Sequence, residues 1–330
     1  MFKKISTVII LIAIVVCAVA CGSNNSADAS FIMFSSDCSL KLYGADAKET
    51  LQDVRAIIND IDDQVNVFKT YSDVYKINHS DIGVATPVRE HTLSLLKKSK
   101  AIYDLTDKAF NPCMRKLSDL WGFSAEFSGE HKVPSDEEIN ALLPYASFDY
   151  VVIDEVNKTV TRLDTRVELD FGGIAKGYAC DKAAAVCRER NITKAIINLG
   201  GNIYVIGSAN IGISKVSGSG YFATVTVTDN SIQTSGDYER YFELDGRKYC
   251  HILDRNGKSV EGDLRAVTLM GASSATCDAL ATAVMVDGVS ALDKYLNDSE
   301  IEYLTIDKDL TCTVRGFNGI KIVDGAYKLS

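Results

Sequence analysis

The sequence predicts an α+β fold with mixed or antiparallel sheets and flanking helices. Short strand-like runs cluster between helical patterns, without the regular strand–helix alternation of a doubly wound sheet. No internal repeat or linker divides the 330 residues, and the apolar share of 46 % is ample for a large core. We therefore expect a single domain over residues 31–330.

The periodicity of apolar residues assigns the main elements. The predicted helices are Ala47–Phe68, Glu90–Phe110, Asp136–Leu143, Tyr178–Arg190 and Ser273–Val286. The predicted strands include Ser39–Gly44, Tyr150–Ile153, Thr159–Leu163 and two strands within Lys194–Gly207 that a glycine pair separates. Further short strands fill the region after Phe222, so strands dominate the second half of the chain.

The N-terminus has the composition of a bacterial export signal. Two lysines precede an apolar run, Ile5–Ala20, and small residues stand directly before Cys21. This order predicts a signal peptide over residues 1–20, and the cysteine resembles a lipobox, which implies a lipid on Cys21. An uncleaved anchor is the alternative, although 16 residues are short for a membrane span. We expect residues 21–30 to form a flexible polar tether to the extracytoplasmic face of the membrane.

Charge and cysteine content narrow the class of protein. The formal charge is −9 and long basic runs are absent, which argues against a nucleic-acid partner. Apart from Cys17 and Cys21, seven cysteines remain, and their spacing fits neither a zinc site nor a C-x-x-C redox motif. We expect most of them to be unpaired core residues.

A glycine-rich stretch follows a strand-like run and leads into a helix. It reads D-F-G-G-I-A-K-G over residues 170–177, after the strand-like run Thr161–Leu169. Two glycines let the backbone approach a bulky group, and a helix start offers free N–H groups to an anion beside the charge of Lys176. The spacing matches neither common phosphate-loop motif, and a tight turn with a solvated lysine explains the stretch equally well.

Two polar residues of the last long helix form a candidate metal pair. Asp278 and Thr282 are four residues apart and therefore share one helix face. A carboxylate and a hydroxyl are hard oxygen ligands that suit Mg²⁺. An aspartate placed to favour the helix dipole is the alternative interpretation.

His251 is a candidate general base. It stands at the end of a strand, before a polar turn, where catalytic groups often lie. Its ordinary pKa lies close to neutral pH, as a general base requires. A half-buried histidine bonded to Asp254 is the alternative.

Five motifs occur in an order that resembles one known family. They are D-F-G-G-I-A-K-G-Y-A at 170–179, N-L-G-G-N at 198–202, T-S-G-D-Y-E-R at 234–240, Y-C-H-I-L-D at 249–254 and A-T-C-D-A-L-A-T-A at 275–283. The set is similar to that of the ApbE-type flavin transferases, which are FAD:protein FMN transferases and usually exported lipoproteins. The resemblance covers nearly the whole mature chain and implies a tunnelling-fold-like α+β domain.

The resemblance also implies a site for FAD and Mg²⁺. The FAD contacts that it implies are Phe68, Ala109, Phe110, Asn111, Asp170, Lys176 and Ile252. It assigns the metal to the backbone carbonyl of Gly173 and to the side chains of Asp278 and Thr282. The family usually has aspartate at the position of Asn111, a departure expected to weaken one polar contact.

The implied activity is transfer of FMN from FAD to a protein hydroxyl. A serine or threonine of an exported redox protein, within a D-G-x-[ST]-G-[AS]-[ST] motif, would attack the FMN-side phosphorus and release AMP. We expect His251 to act as general base and Asp278 to act through the metal. Two alternatives remain: hydrolysis of FAD to FMN and AMP at the same site, and a lipid-anchored protein that only binds FAD.

Overall fold

The computed structural model describes residues 25–124, 127–297 and 299–330. The predicted signal peptide and Cys21 lie outside these ranges. In the described part of the chain, every helix is too short or too polar to cross a membrane.

The described elements are numbered along the chain. The helices are α1 (Ala47–Val65), α2 (Asp73–His79), α3 (Glu90–Leu105), α4 (Arg115–Leu120), α5 (Asp136–Leu142), α6 (Ala175–Glu189), α7 (Ser274–Asp287) and α8 (Ser290–Leu296). The strands are β1 (Ser26–Met33), β2 (Ser36–Tyr43), β3 (Thr86–Pro87), β4 (Val151–Asp154), β5 (Thr159–Arg162), β6 (Lys194–Leu199), β7 (Asn202–Ile206), β8 (Ser208–Ser214), β9 (Tyr221–Thr228), β10 (Ser231–Gly236), β11 (Tyr241–Leu244), β12 (Arg247–Cys250), β13 (Leu264–Gly271), β14 (Glu302–Asp307), β15 (Thr311–Arg315), β16 (Lys321–Ile322) and β17 (Lys328–Leu329). Two short 3₁₀ helices cover Leu143–Tyr145 and Phe148–Tyr150.

A nine-stranded sheet is the centre of the fold, in the order β1-β2-β6-β7-β10-β13-β14-β15-β17. Its neighbours pair antiparallel, apart from the parallel pair β15–β17. The predicted α+β class with antiparallel or mixed sheets is confirmed.

Side-chain alternation gives this sheet two separate cores. In β6, Ala195 and Ile197 join the core formed with α1, α3, α6 and α7, whereas Ile196 joins the core formed with β8 and β9. Successive residues of a strand point to opposite faces, so helices cover one face and a small sheet covers the other. The candidate site lies where α6 and α7 pack on the helical side.

A third, smaller cluster is mainly aromatic. It contains Trp121, Phe123, Phe242 and Tyr249, and the Trp121 indole N–H donates to the Gly257 carbonyl at 2.8 Å. This aromatic cluster therefore joins the β11–β12 hairpin to the turn that follows His251. The only tryptophan of the chain is a packing residue.

Strand β1 corrects the predicted tether. Residues 26–33 pair along their whole length with β2, and Phe31 and Met33 pack against the main core. The prediction of a flexible segment over residues 21–30 is therefore wrong from Ser26 onward, and the domain begins there rather than at residue 31. Small polar residues here line the exposed face of an edge strand, a pattern that composition alone does not distinguish from a tether.

Helix α3 ends earlier than predicted. It stops at Leu105 rather than Phe110, because Asp107 and Lys108 have φ angles of 47° and 70°. These angles lie in the left-handed region and cannot continue a right-handed helix. The segment after α3 therefore turns back toward the glycine-rich stretch.

The strand-like run before the glycines is also shorter than predicted. Strand β5 stops at Arg162, and the chain then runs to Leu169 without a regular ladder. Asn78 of α2 replaces that ladder: its side-chain oxygen accepts the Leu169 N–H at 2.8 Å, and its amide donates to the Leu169 carbonyl at 2.9 Å. One buried side chain thus fixes the entry to the glycine-rich stretch.

All seven cysteines from Cys38 to Cys312 are free and buried, as predicted. Burial raises the pKa of the Cys38 thiol to about 11 and acts in the same direction on the other six. They are core residues and remain protonated at neutral pH.

Candidate active site

Helices α6 and α7 approach each other most closely at Gly177. A Cβ atom on Gly177 would lie 2.5 Å from the Ser274 carbonyl oxygen, so the contact needs a glycine. One turn further along α7, Asp278 accepts the Gly177 N–H at 3.1 Å. The second part of the glycine-rich stretch therefore brings Asp278 to the start of α6.

Asp181, one turn further along α6, holds the start of α7. Its carboxylate accepts the N–H groups of Ser274 and Ala275, at 2.7 and 3.1 Å, and the Ser273 hydroxyl at 3.1 Å. These bonds cap α7 with a side chain from α6. Sequence reasoning missed Asp181, because a cap supplied by another helix leaves no local spacing signal.

The Asp278 carboxylate is buried, with 6 % of the residue exposed. Burial raises its pKa, and the charge of Lys176, the Gly177 N–H and the Asn202 side chain act in the opposite direction. A carboxylate in this position is stabilised as an anion by a nearby cation.

Thr282 faces the first part of the glycine-rich stretch. A Cβ on Gly173 would lie 3.6 Å from Thr282 Oγ1 and 3.3 Å from the Phe110 ring. The Thr282 hydroxyl donates to the Asp278 carbonyl at a long 3.4 Å, which leaves its lone pairs available. The structure therefore places Gly173 beside Thr282 and Gly177 beside Asp278, so both parts of the glycine-rich stretch face α7.

These three groups fit a small divalent cation. Among the described residues, no three His, Cys, Asp or Glu side chains converge in a metal-binding cluster. A buried carboxylate, a hydroxyl and a backbone carbonyl are instead the few hard oxygen donors that Mg²⁺ takes from proteins when water and phosphate complete its shell.

The predicted cradle of free N–H groups is mostly wrong. Four N–H groups around the start of α6 already donate to protein oxygens; the donors are Gly172 to Asp170, Ile174 and Ala175 to Phe171, and Gly177 to Asp278. The Lys176 ammonium donates to the Gly172 carbonyl at 3.1 Å and is half-buried. An anion at this site would meet chiefly the charge of Lys176.

His251 is held by Arg240. Its backbone N–H donates to the Arg240 carbonyl at 3.0 Å, and its Nδ1 lies 3.2 Å from the same oxygen. The alternative bond to Asp254 is not formed, since the Asp254 carboxylate accepts the N–H groups of Asn256 and Lys258. Burial and the charges of Arg240 and Lys176 lower the pKa of His251 to about 4, so the imidazole is neutral at pH 7.

Arg255 ties the His251 side to the metal side. Its guanidinium is bonded to the carboxylate of Asp287, at the end of α7, and to the Thr106 carbonyl at 2.7 Å. Tyr295 of α8 bonds to the same carboxylate. The turn after His251 is therefore fastened to the helix that carries Asp278 and Thr282.

The sequence model of the ApbE family matches residues 34–305. This chain belongs to the ApbE family. The FAD:protein FMN transferase of Klebsiella pneumoniae is 32 % identical over 287 residues, which cover 85 % of this chain and 90 % of that protein. The FAD:protein FMN transferase of Vibrio cholerae is 28 % identical over 74 % of this chain and 75 % of that protein.

Solved ApbE structures have the same fold. The ApbE protein of Thermotoga maritima superposes with a TM-score of 0.77 at 28 % identity, over 90 % of this chain and 97 % of its own. The flavin transferase ApbE of Vibrio cholerae gives 0.76 at 25 % identity, over 90 % and 96 %. Family membership supports flavin transfer as the chemistry of the site and FAD as its substrate.

The other residues that the ApbE resemblance assigned to FAD lie in two groups. Phe110 and Ala109 are buried beside Gly173, and Ile252 is buried directly after His251. Phe68 lies farther along the surface, where its ring stacks under the Arg115 guanidinium, 4.8 Å from the ring centroid.

Arg115 connects Phe68 to the glycine-rich stretch. Its guanidinium lies 3.4 Å from the Asp170 carboxylate and 3.0 Å from that of Asp119. Sequence reasoning missed Arg115, whose role depends on residues 47 positions before and 55 positions after it.

Asn111 is engaged by the backbone. Its amide donates to the Ala146 carbonyl at 2.8 Å, and its oxygen accepts the Cys113 N–H at 2.9 Å. An aspartate in place of Asn111 would have no proton to donate to Ala146 when ionised. Asparagine at this position therefore anchors the segment that carries Phe110.

Glu239 is a site residue that sequence reasoning treated as part of a turn. Its side chain is exposed and lies near Lys176, Asp278 and Arg240. Desolvation at this position raises its pKa to about 7, against the opposing charge of Lys176. The T-S-G-D-Y-E-R motif thus adds a titratable carboxyl to the site.

Proposed function

We propose that this chain is an FAD:protein FMN transferase that requires Mg²⁺ and modifies a serine or threonine of another exported protein. The observation that carries the proposal is that Gly173 lies beside Thr282 and Gly177 beside Asp278, more than a hundred residues apart, with the charge of Lys176 next to Asp278. A buried carboxylate beside a free hydroxyl serves a cation, and the lysine serves an anionic substrate.

The cation would be held by the Gly173 carbonyl, the Asp278 carboxylate and the Thr282 hydroxyl. When bound, it would neutralise charge on the pyrophosphate oxygens of FAD and make AMP a better leaving group. Lys176 adds a second positive charge for the same phosphates. Phe110 and Ile252 supply buried apolar surface next to these groups.

The contact with Arg240 fixes the tautomer of His251. A carbonyl oxygen only accepts hydrogen bonds, so the Nδ1 atom must carry the proton in the 3.2 Å contact. Nε2 then has a free lone pair, and the low pKa keeps it unprotonated at neutral pH. His251 is thereby prepared to accept a proton through Nε2.

The proposed step balances as one substitution at phosphorus. The acceptor hydroxyl oxygen forms a bond to the FMN-side phosphorus, and the bond from that phosphorus to the bridging oxygen breaks. The hydroxyl proton goes to His251 Nε2, and the bridging oxygen leaves with AMP. The product is FMN joined to the acceptor through a phosphoester.

The acceptor is proposed to be a separate exported redox protein with a D-G-x-[ST]-G-[AS]-[ST] segment. The similar segment of this chain, D-G-V-S-A at 287–291, lacks the second glycine, and the Asp287 carboxylate is bonded to Arg255. A lipid on Cys21 would hold the enzyme at the extracytoplasmic face of the membrane, where such acceptors lie.

Intact-mass spectrometry tests the proposal. A test acceptor carrying D-G-x-T-G-A-T is incubated with this protein, FAD and Mg²⁺, and the nucleotide products are analysed in the same sample. We expect the acceptor to gain one FMN and AMP to be released. Free FMN and AMP with an unmodified acceptor would instead identify a hydrolase, and intact FAD a binding protein.

A further inference from the structure

Asn202, the last residue of the N-L-G-G-N motif, contacts the Asp278 carboxylate and has an unusual hydrogen-bonding state. Its side chain lies near enough to the Asp278 carboxylate to lower the pKa of that carboxyl, yet its Oδ1 atom is buried with no hydrogen-bond partner. The residue is 4 % exposed. A buried amide oxygen without a partner costs about 1–3 kcal/mol, so its presence needs an explanation.

The position of Asn202 is fixed by its backbone. Strand β7 pairs it with Leu199 across the Gly200-Gly201 turn, and its carbonyl accepts the Cys180 thiol of α6 at 3.3 Å. The main chain of Asn202 is therefore held by a central strand, which places its side chain on the Asp278 side of α6. The unpaired oxygen sits on the same carbon as the amide nitrogen, and so lies next to the carboxylate.

We propose that Asn202 is a positioning residue of the cation site, where its amide N–H orients Asp278 and its Oδ1 accepts a hydrogen bond from a water on the bound cation. The inference rests on the cation site of the proposed function. Mg²⁺ keeps several waters of its shell, and each such water is a strong donor. An oxygen that is unpaired in the protein alone would thereby gain its partner on metal binding.

Such outer residues matter for affinity because they hold a ligand in the geometry the metal needs. The Asp278 carboxylate accepts the Gly177 N–H, and the nearby Asn202 amide stabilises its charged form in the same direction. The Gly177 donor is backbone and is present in every variant. Removal of the amide leaves the carboxylate with one donor and removes the acceptor for the metal-bound water.

The test is titration of the whole mature protein with Mn²⁺, followed by electron paramagnetic resonance of the free ion and by calorimetry, without FAD. For Asn202→Ala we expect a roughly 10–100-fold weaker dissociation constant than for wild type. Asn198→Ala is the matched control. Asn198 belongs to the same motif and is equally buried, but its oxygen accepts the Gly201 N–H at 2.9 Å. It should lose stability and keep the wild-type Mn²⁺ affinity.

Asn202→Asp provides a second readout that does not depend on a cavity being tolerated. The side chain keeps its shape, but it loses the donor and places a second carboxylate beside Asp278. We expect a lower melting temperature than wild type without metal, and a larger rise in melting temperature on adding Mg²⁺. A purely structural asparagine would give the same metal-induced rise as wild type.

The outcomes separate the two proposals. If wild type binds Mn²⁺, Asp278→Ala does not, and both Asn202 variants bind within twofold of wild type, the role of Asn202 is overturned and the cation site stands. If wild type binds no Mn²⁺ that depends on Asp278, the cation site itself is refuted, and the role of Asn202 falls with it.

Discussion

The Asp278 side of the site (the deep side) packs on the large main core, whereas the His251 side (the shallow side) packs on the small aromatic cluster. Asp278 and Thr282 belong to α7, which is packed in the main core and fastened to α6 at Gly177 and Asp181. His251 follows a hairpin that packs on the small aromatic cluster, and the Arg255 bonds join that turn to the end of α7. The deep side holds a buried carboxyl that we propose binds a cation, and the shallow side holds the neutral imidazole that we propose acts as base.

Burial differs between the proposed cation-binding carboxyl and the proposed base. A charged ligand group is costly to bury and is stabilised by fixed donors and a metal, which only a rigid helix pair can position. A base must meet an incoming hydroxyl, and the half-buried position of His251 on a peripheral element is compatible with the role proposed for it. Each of the following experiments tests one side of that division.

The largest effect is expected on the deep side. Asp278→Ala should reduce FMN transfer by on the order of 10³-fold or more, because the metal supplies several kcal/mol of charge stabilisation. Intact-mass analysis of the acceptor measures the change. Asp293→Ala, on the exposed face of α8, is the control and should transfer as wild type. Mg²⁺-dependent transfer by the Asp278 variant would refute the metal assignment.

His251→Gln should lower the transfer rate by on the order of 10²–10⁴-fold while Mn²⁺ affinity stays unchanged, since the histidine acts as base and not as ligand. His79→Gln is a matched control. Its Nδ1 also contacts a backbone carbonyl, that of Tyr75 at 2.8 Å, but it lies on the exposed end of α2. A parallel loss of metal binding in the His251 variant would show that the two sides are not separate.

Gly177→Ala tests the helix contact that creates the deep side. In a free helix alanine stabilises relative to glycine, but here the new methyl group meets the Ser274 carbonyl, and we expect a loss of about 1–3 kcal/mol. Urea unfolding measures it. Gly325→Ala, with no atom within 4 Å of the new methyl group, should stay near wild type. Unchanged stability in the Gly177 variant would show that α6 and α7 can move apart to make room for the methyl group without loss of free energy.

The smallest effect is expected for the dependence of the transfer rate on pH between 5 and 8, which tests the pKa of His251. The pKa of His251 is lowered to about 4 from its ordinary 6.5, so the neutral base persists as pH falls through 6.5. A bound cation would lower that pKa further. Glu239 has a pKa of about 7 and is removed from the profile by Glu239→Gln. The transfer rate of that variant should therefore show no break near pH 6.5, and its acidic limb should fall near pH 4. A limb centred at 6.5 in rates measured from pH 4 to 8 would contradict the environment assigned to His251.

Much of the site could be predicted because it lies in contiguous motifs. The spacing of Asp278 and Thr282 predicts a shared helix face, and the glycine pair predicts a close backbone approach, and both are found. The residues that were missed, Asp181, Arg115, Asn202 and Glu239, act on partners distant in sequence. Their roles appear only when α6, α7 and the sheet are assembled.

The errors share a physical origin as well. The polar N-terminal segment was expected to be a tether, yet backbone pairing with β2 orders it as an edge strand. The start of α6 was expected to offer free N–H groups, but Asp170, Phe171 and Asp278 accept them. Local sequence specifies which groups a segment carries, and it does not specify which of them the fold has already satisfied.

The sequence by itself determined the α+β class, the unpaired cysteines and the ApbE family, because periodicity and motif order are local properties of the chain; it also nominated Asp278 and Thr282 as metal ligands. Only the tertiary structure decided that Asp278 is buried against Gly177, that Arg240 fixes the tautomer of His251, and that Asn202 retains an unpaired oxygen. These depend on distances between segments that are far apart in sequence, which packing of the two helices on the sheet sets.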